Sequence, residues 1–427
     1  MPRPLVTLLV PSALLFLAAA GHGQACTLGS PTTTGSAQLI GTTCSTTPTL
    51  PHTTCQTVQI TCDGIQPLDV ELRISAPAAG VPYRGTILFG TGAAGDKFYA
   101  DLDQQILATL QADGFRIVDR RWAAPWFFQS ISVRKQSCRY ATLLEYVAGS
   151  IHTPGGALCA TGHSNGGMEL AYALTAWNAD AVLDVAVPTS GPNSRLDYVC
   201  MGWPAGQCPG IVPASVMTCT PPCMGQPFFC TACNPTPTAL DQEEDSVLFP
   251  AAVLDFPTTR VHQIFGRSDC GTPAVPSGLL FQSMITSERI SEFVPAGHSV
   301  ASTPPGRDAM RRAFLGGAAC TAGPASLTAL AWPSIGSNLQ LDLLGPSAAD
   351  YTVALSFGTA FTEVPGLGWL FLADPYSVIG SGCLDAAGTA TLLNMIPNDP
   401  MLVGTNLYFQ AQIGSCLSNL VHVQIVS

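Results

Sequence analysis

Residues 157–177, ALCATGHSNGGMELAYALTAW, constrain this chain more than any other stretch. A short apolar run that reads as a buried strand meets Gly162-His163-Ser164-Asn165-Gly166, and a helical pattern follows with no linker. A backbone that turns so sharply from strand to helix brings the positions two before and two after the central residue into collision. Glycine at both positions removes the collision and lifts the serine above the sheet, at the first turn of a helix. There the helix dipole and the free N–H groups favour a developing negative charge. Gly-x-Ser-x-Gly occurs once in the sequence, in the strand–turn–helix context its chemistry requires, and reads as a nucleophile elbow.

The surrounding pattern supplies a sheet for that elbow. Strand-like alternation in TVQI (57–60), DVELRI (69–74) and GTILF (85–89) gives way to alternating helices and strands. A helix near 100–112, strand FRIVD, a helix near 137–148, strand ALCAT, the helix from about 166 to 177 and strand LDVAV follow in turn. VHQIF (261–265), ISEFV (290–294) and a helix near 305–315 complete the series. This predicts an α/β fold, a mostly parallel sheet with helices on both faces, over residues 51–320. Residues 191–250 break the pattern with cysteines, prolines and DQEED (241–245), and read as a disulfide-rich cap insertion. Residues 26–50, rich in Thr and Ser, read as an extended arm. After Cys320, seven short apolar runs from SLTALAW to LVHVQIV are separated by turn residues, which predicts an antiparallel β-sandwich over 324–427. Cys383 and Cys416, its only cysteines, are expected to pair.

Residues 1–25 combine Arg3, an apolar run from Leu5 to Ala20 and small residues at Gly23 and Ala25, the pattern of a secretory signal peptide. Pro11 interrupts the run, which is shorter than the roughly 20 residues a membrane span requires. Sixteen cysteines in an exported chain argue for structural disulfides. No histidine falls within the group from Cys200 to Cys233, so its C-x-x-C is read as disulfide-forming rather than zinc-binding. A net charge of −11 and the lack of any Lys/Arg-rich run argue against a nucleic-acid partner. With no second apolar run able to span a membrane, a released extracellular or periplasmic protein is expected, its oligomeric state open with a monomer as the default.

A serine hydroxyl is a weak nucleophile without a base, and the chain has only seven histidines. His22 falls in the signal peptide, His52 and His152 precede the serine, and His163 lies in the elbow itself. His262 opens an apolar strand and His422 belongs to the C-terminal domain. His298, in FVPAGHSV just after a predicted strand, is the remaining candidate base. The acid that orients it should lie between serine and histidine in sequence, at a strand end. Asp269, directly after VHQIF, has that position, with Asp184, Asp241, Asp245 and Asp255 as competitors. Cys270 beside it, if bonded, would stiffen the loop.

The order Ser164, Asp269, His298, with the segments GHSNGG, GRSD and AGHS, resembles the α/β-hydrolase superfamily over roughly residues 55–318. GHSNGGM is similar to secreted esterases of the polyhydroxyalkanoate-depolymerase and feruloyl-esterase type. The resemblance implies a Ser-His-Asp triad, no metal or organic cofactor, and an ester or polyester substrate. It also assigns GTGAAG (90–95): the turn after strand GTILF supplies one oxyanion donor, from Thr91 or Gly92, and the Asn165 N–H supplies the other. Phe89-Gly90 stands where the family carries His-Gly, which leaves both Thr91 and Gly92 open. Taken alone, Gly90-x-Gly92-x-x-Gly95 followed by FRIVD and its Asp119 would suggest a dinucleotide loop. Two strands before the motif, export from the cofactor pool and the elbow itself argue against that reading.

RRWAAPWFF places Trp122, Trp126, Phe127 and Phe128 at the carboxyl end of a strand, where ligands bind in open α/β sheets. Trp122 and Trp126 are therefore expected to wall an apolar acyl or aromatic group, with core packing as the other reading. The alternatives to an esterase are a secreted serine peptidase using the same triad and a non-catalytic binding protein on a hydrolase scaffold. The C-terminal domain is expected to bind polymer, to serve export or packing, or to stabilise the whole.

Overall fold

A computed structural model of the chain describes residues 35–127, 132–201, 239–270, 272–285, 289–319, 326–329, 333–364, 368–414, 416–418 and 420–426. The expected signal peptide, most of the cysteine cluster and Phe128 lie outside the described residues. Nine strands form one sheet: β1 (Ser36–Gly41), β2 (Thr53–Thr61), β3 (Leu68–Ser75), β4 (Gly85–Gly90), β5 (Phe115–Trp122), β6 (Ala157–His163), β7 (Val185–Thr189), β8 (Arg260–Gly266) and β9 (Arg289–Val294). Their order is β1-β2-β3-β5-β4-β6-β7-β8-β9. From β5 through β9 every neighbouring pair is parallel, and β1, β2 and β3 add an antiparallel edge.

The two faces of the sheet bury separate apolar sets, as a side-chain period of two requires. On β4, Leu88 joins Val70, Val118 and Trp122 under the helices Cys138–Ser150 and Asn165–Trp177. Ile87 and Phe89 face the other way, with Ile117, Val187 and Ile264, under the helices Ala100–Ala112 and Pro304–Ala319. Each fully buried side chain of this size contributes about 1.5–3 kcal/mol. Disulfides Cys44–Cys55 and Cys62–Cys138 tie the antiparallel edge together and to the helix Cys138–Ser150. β1 falls in the segment read from sequence as an arm. Its side chains are mostly exposed, so no apolar alternation marked it, and backbone pairing to β2 makes it a strand.

Beneath the sheet, Glu292 on β9 lies between Arg312, at 2.5 Å, and His262 on β8, at 3.3 Å. Burial opposes its ionisation, but Arg312 and His262 outweigh burial and hold the carboxyl down at about 2. A carboxyl depressed in the folded state stabilises the fold above its unfolded value of about 4.5, and that contribution fades as pH falls towards 2. Glu292→Gln should therefore lower the melting temperature at pH 7, and the gap to the unsubstituted protein should narrow between about pH 5 and pH 3. A gap that is constant with pH would show that the loss is one of packing alone.

The C-terminal region is an antiparallel sandwich. One sheet has the order β10 (Ser326–Ala329), β11 (Asn338–Leu344), β16 (Thr389–Met395). The other runs β15 (Ser377–Cys383), β12 (Asp350–Ser356), β17 (Asn406–Ile413), β18 (Cys416–Leu417), and β19 (Val421–Gln424) also pairs β17. Leu339, Leu341 and Leu343 from the first sheet pack against Val353, Leu407, Phe409 and Ala411 from the second. β13 (Thr359–Val364) and β14 (Gly368–Leu372) form a hairpin whose Phe371 and Leu372 pack with Met310, Phe314 and Leu315 of the helix Pro304–Ala319. β13, β15 and β18 had no counterpart among the seven apolar runs. β15 is largely exposed and carries two glycines.

The expected Cys383–Cys416 disulfide is corrected by this sheet. Cys383 is a free thiol whose Sγ donates to Asp350 Oδ1 at 3.1 Å. β15 and β18 occupy opposite edges, with β12 and β17 between them. At about 4.8 Å per strand they stand roughly 14 Å apart, beyond the reach of a disulfide.

Candidate active site

Ser164 sits between β6 and the helix Asn165–Trp177 with φ 54° and ψ −114°. A non-glycine residue held there stores about 1–3 kcal/mol of strain. The neighbouring glycines leave no alternative. A Cβ on Gly162 would stand 2.1 Å from the Gly166 backbone, and one on Gly166 would stand 2.7 Å from the Thr91 carbonyl oxygen. The turn after β4 is thus seated directly on the elbow, where a Cβ on Gly92 would stand 2.9 Å from Ser164 Cβ.

That turn and the elbow are joined by side chains as well. Asn165 Nδ2 donates to the Ala93 carbonyl at 3.0 Å, and Asn193 Nδ2 donates to Asn165 Oδ1 at 3.4 Å. Thr91 Oγ1 donates to the Lys97 carbonyl at 3.0 Å. The backbone N–H groups of Thr91, Gly92 and Asn165 have no acceptor among the described residues. They are buried or half-buried beside the serine, where an unpaired donor is costly unless a ligand oxygen takes it.

Asp269 and His298 arrive on the loops that leave β8 and β9. Gly266, at the end of β8, packs so closely on the histidine loop that a Cβ there would stand 2.1 Å from the Gly297 carbonyl oxygen. Asp269 is buried; its Oδ2 lies 2.9 Å from His298 Nδ1, and its Oδ1 accepts from Thr272 Oγ1 at 2.9 Å. The His298 carbonyl accepts from Ser190 Oγ at 2.5 Å. Cys270, next to Asp269, is disulfide-bonded. The His298 ring lies 4.8 Å, centroid to centroid, from that of His163, the residue before the serine. Ser164 Oγ makes no hydrogen bond to a described residue, a looseness common in ligand-free sites.

Burial, reinforced by His298, pushes His163 down to about 3, so this second imidazole stays neutral across the working range. Two competing carboxylates are committed elsewhere. Asp184 Oδ2 accepts from Leu158 N at 2.7 Å, and Asp245 accepts from Val133 N at 2.7 Å and Arg134 N at 2.9 Å. Asp119, the residue a dinucleotide would have needed, accepts from Tyr99 N at 2.7 Å and Ala100 N at 3.0 Å at the start of the helix Ala100–Ala112. Burial raises its carboxyl to about 7 despite those bonds. Among the described residues no group of three His, Cys, Asp or Glu side chains is placed to hold a metal ion.

The two indoles expected to wall the substrate are enclosed. Trp122 and Trp126 are each 1% exposed, packed with Val133, Tyr140 and Leu144. Trp122 Nε1 donates to Glu169 Oε1 at 2.6 Å, and Trp126 packs edge-on against Phe127 with ring centroids 5.1 Å apart. Sequence reasoning did not single out Glu169, Arg120, Thr272 or Ser190. For Glu169 a signal existed: it is the one charge in the apolar helix GGMELAYALTAW.

The parallel sheet, the elbow at the carboxyl end of β6 and the flanking helices define the α/β-hydrolase fold, here carrying a C-terminal β-sandwich. No family model and no curated protein matches the chain. Solved structures similar to it include an arylesterase (13% identity, TM-score 0.43, covering 62% of this chain and 84% of that one). Carboxyl esterase 2 from the mycorrhizal fungus Tuber melanosporum is 12% identical, with a TM-score of 0.41 over 62% of this chain and 85% of that one. Brefeldin A esterase, a bacterial homologue of human hormone-sensitive lipase, is 17% identical, with a TM-score of 0.42 over 64% of this chain and 76% of that one. What the site does is a matter of its own geometry.

Proposed function

We propose that this chain is a secreted serine hydrolase that cleaves carboxylic esters through an acyl-enzyme. The observation that carries the reading is the 2.9 Å Asp269–His298 contact, its imidazole 4.8 Å from the ring of His163, the residue before a strained serine. Ser164 Oγ attacks the ester carbonyl as His298 Nε2 takes its proton, and Asp269 stabilises the resulting imidazolium. The oxyanion lies against the N–H of Asn165 and that of Thr91 or Gly92, each such donor contributing about 3 kcal/mol to the transition state. His298 returns the proton to the leaving alcohol. Water, activated in the same way, then releases the acid and restores the serine. Esters, polyester chains among them, are the substrate class, consistent with the resemblance of GHSNGGM to secreted esterases.

Oxidatively folded protein should hydrolyse p-nitrophenyl acetate, butyrate and longer esters with a preference for one chain length. His298→Ala should lose that activity, since no base is then left to accept the serine proton. His163 does not stand in for it as a charged group above about pH 4, because burial keeps it neutral. Folded protein without activity on any of these esters, or a His298→Ala variant with undiminished activity, would overturn the proposal.

A further inference from the structure

Directly under the turn that carries Thr91 and Gly92 lies an ion pair with no exposure at all. Arg120 on β5 and Glu169 on the elbow helix are paired through Nη2 and Oε2, both side chains 0% exposed. Trp122 Nε1 donates to the other Glu169 oxygen at 2.6 Å, and Arg120 Nη1 donates to the Gly95 carbonyl at 3.3 Å. The Trp122 backbone N–H donates to that same carbonyl at 2.9 Å. The turn is moulded on the guanidinium: a Cβ on Gly90 would stand 2.7 Å from Arg120 Nη2, and one on Gly95 would stand 2.8 Å from Nη1.

A buried pair of this kind is a poor source of stability, because desolvation cancels most of its attraction, and apolar residues of similar size often serve as well. Its geometry does something an apolar pair would not. It fixes three pieces of backbone relative to one another: both ends of the turn Gly90–Gly95, the carboxyl end of β5 and the first turns of the elbow helix. Those are the segments that supply the proposed oxyanion donors, Thr91 or Gly92 on one side and Asn165 on the other.

We propose that Arg120, Glu169 and Trp122 are positioning residues that set the spacing of the oxyanion hole. The proposal rests on the ester-hydrolase reading above. The cluster touches no substrate; it acts through the Gly95 carbonyl and the backbone of the turn. Because hydrogen-bond donors stabilise an oxyanion only when they are within a few tenths of an ångström of its position, loosening the turn acts on the transition state rather than on ground-state binding.

The test compares the unsubstituted protein with Arg120→Met/Glu169→Met, which removes both charges together, and with Trp122→Phe, which removes the indole N–H and leaves a smaller ring. The readouts are kcat and KM on p-nitrophenyl butyrate, affinity for butaneboronic acid, whose serine adduct places an oxygen in the hole, and melting temperature. Arg121→Met, which breaks the Arg121–Glu71 pair on the other face of β5, is the control. For the double variant we expect kcat and boronate affinity to fall together by about 10-fold or more, with KM within about twofold and a melting temperature lowered by a few degrees, because Trp122 Nε1 loses its acceptor. Trp122→Phe should move the same two quantities in the same direction by less. If the folded double variant keeps kcat within about twofold, the cluster is a structural pair only and the proposal is overturned. If the double variant fails to fold, Trp122→Phe decides: unchanged kcat and boronate affinity overturn the proposal. An unsubstituted protein that hydrolyses no ester overturns the ester-hydrolase reading itself, and is recognised as such before any variant is compared.

Discussion

Ser164→Ala is expected to lower kcat on p-nitrophenyl butyrate by about 10⁴-fold to 10⁶-fold, because the oxyanion donors and the bound geometry then act without a nucleophile. The fold should be untouched. Alanine at φ 54° is as strained as serine, so the melting temperature should stay within a few degrees. Ser164→Gly supplies an internal check: glycine accepts that backbone at no steric cost, and it should be equally inactive but no less stable than the alanine variant. Stopped-assay kinetics and a thermal melt on the same preparations decide the matter. Residual turnover above about one part in a hundred would place the nucleophile elsewhere.

Removal of residues 324–427 should have the second-largest effect. The sandwich is not an appendage on a free surface: Phe371, Leu372 and Leu420 belong to the same apolar cluster as Met310, Phe314 and Leu315 of the helix Pro304–Ala319. Exposing those partners forfeits roughly 1.5–3 kcal/mol for each large side chain, on the order of 5 kcal/mol in all. That is comparable with the whole stability of an ordinary domain. The truncated chain should therefore melt at least about 10 °C lower or accumulate as aggregate, and lose activity on soluble as well as insoluble esters. Phe371→Ala in the full chain should reproduce about 3–5 kcal/mol of the loss in a denaturant titration. A truncated chain with an unchanged melting temperature and selective loss of activity on insoluble polyester would instead make the sandwich a polymer-binding module.

Much of the fold was legible because it is written in burial. The strands Gly85–Gly90 and Arg260–Gly266 are buried along their whole length and Ala157–His163 at every residue but Ala157, and their apolar centres Ile87–Phe89, Leu158–Ala160 and Ile264–Phe265 stand out in the sequence. The elbow was legible for a steric reason, since only glycine fits at 162 and 166. Ser36–Gly41 and Ser377–Cys383 escaped because they are edge strands with exposed side chains, held by backbone pairing that leaves little trace in side-chain chemistry. The position of Trp122 could not be read because its neighbours are distant in sequence. An indole after a strand looks the same whether it meets solvent or Glu169, and only the packing of the elbow helix decides. The Cys383–Cys416 pairing failed on sheet order, a long-range property that counting cysteines within a domain does not reach.

Asp269 and His298, the proposed acid and base, stand on loops that leave neighbouring parallel strands, and the ladder between those strands runs to their very ends, with Gly266 opposite Val294. A slip of one residue in β9 would carry His298 about 3.3 Å along the strand direction and turn Ile290 and Val294 to the wrong face. Secondary structure would survive such a slip almost unchanged. Once the protein as first isolated has been shown to turn over an ester, turnover is a ruler for the alignment of β8 and β9: refolded material with a native far-ultraviolet spectrum and a lost rate would then be misregistered chain rather than unfolded chain.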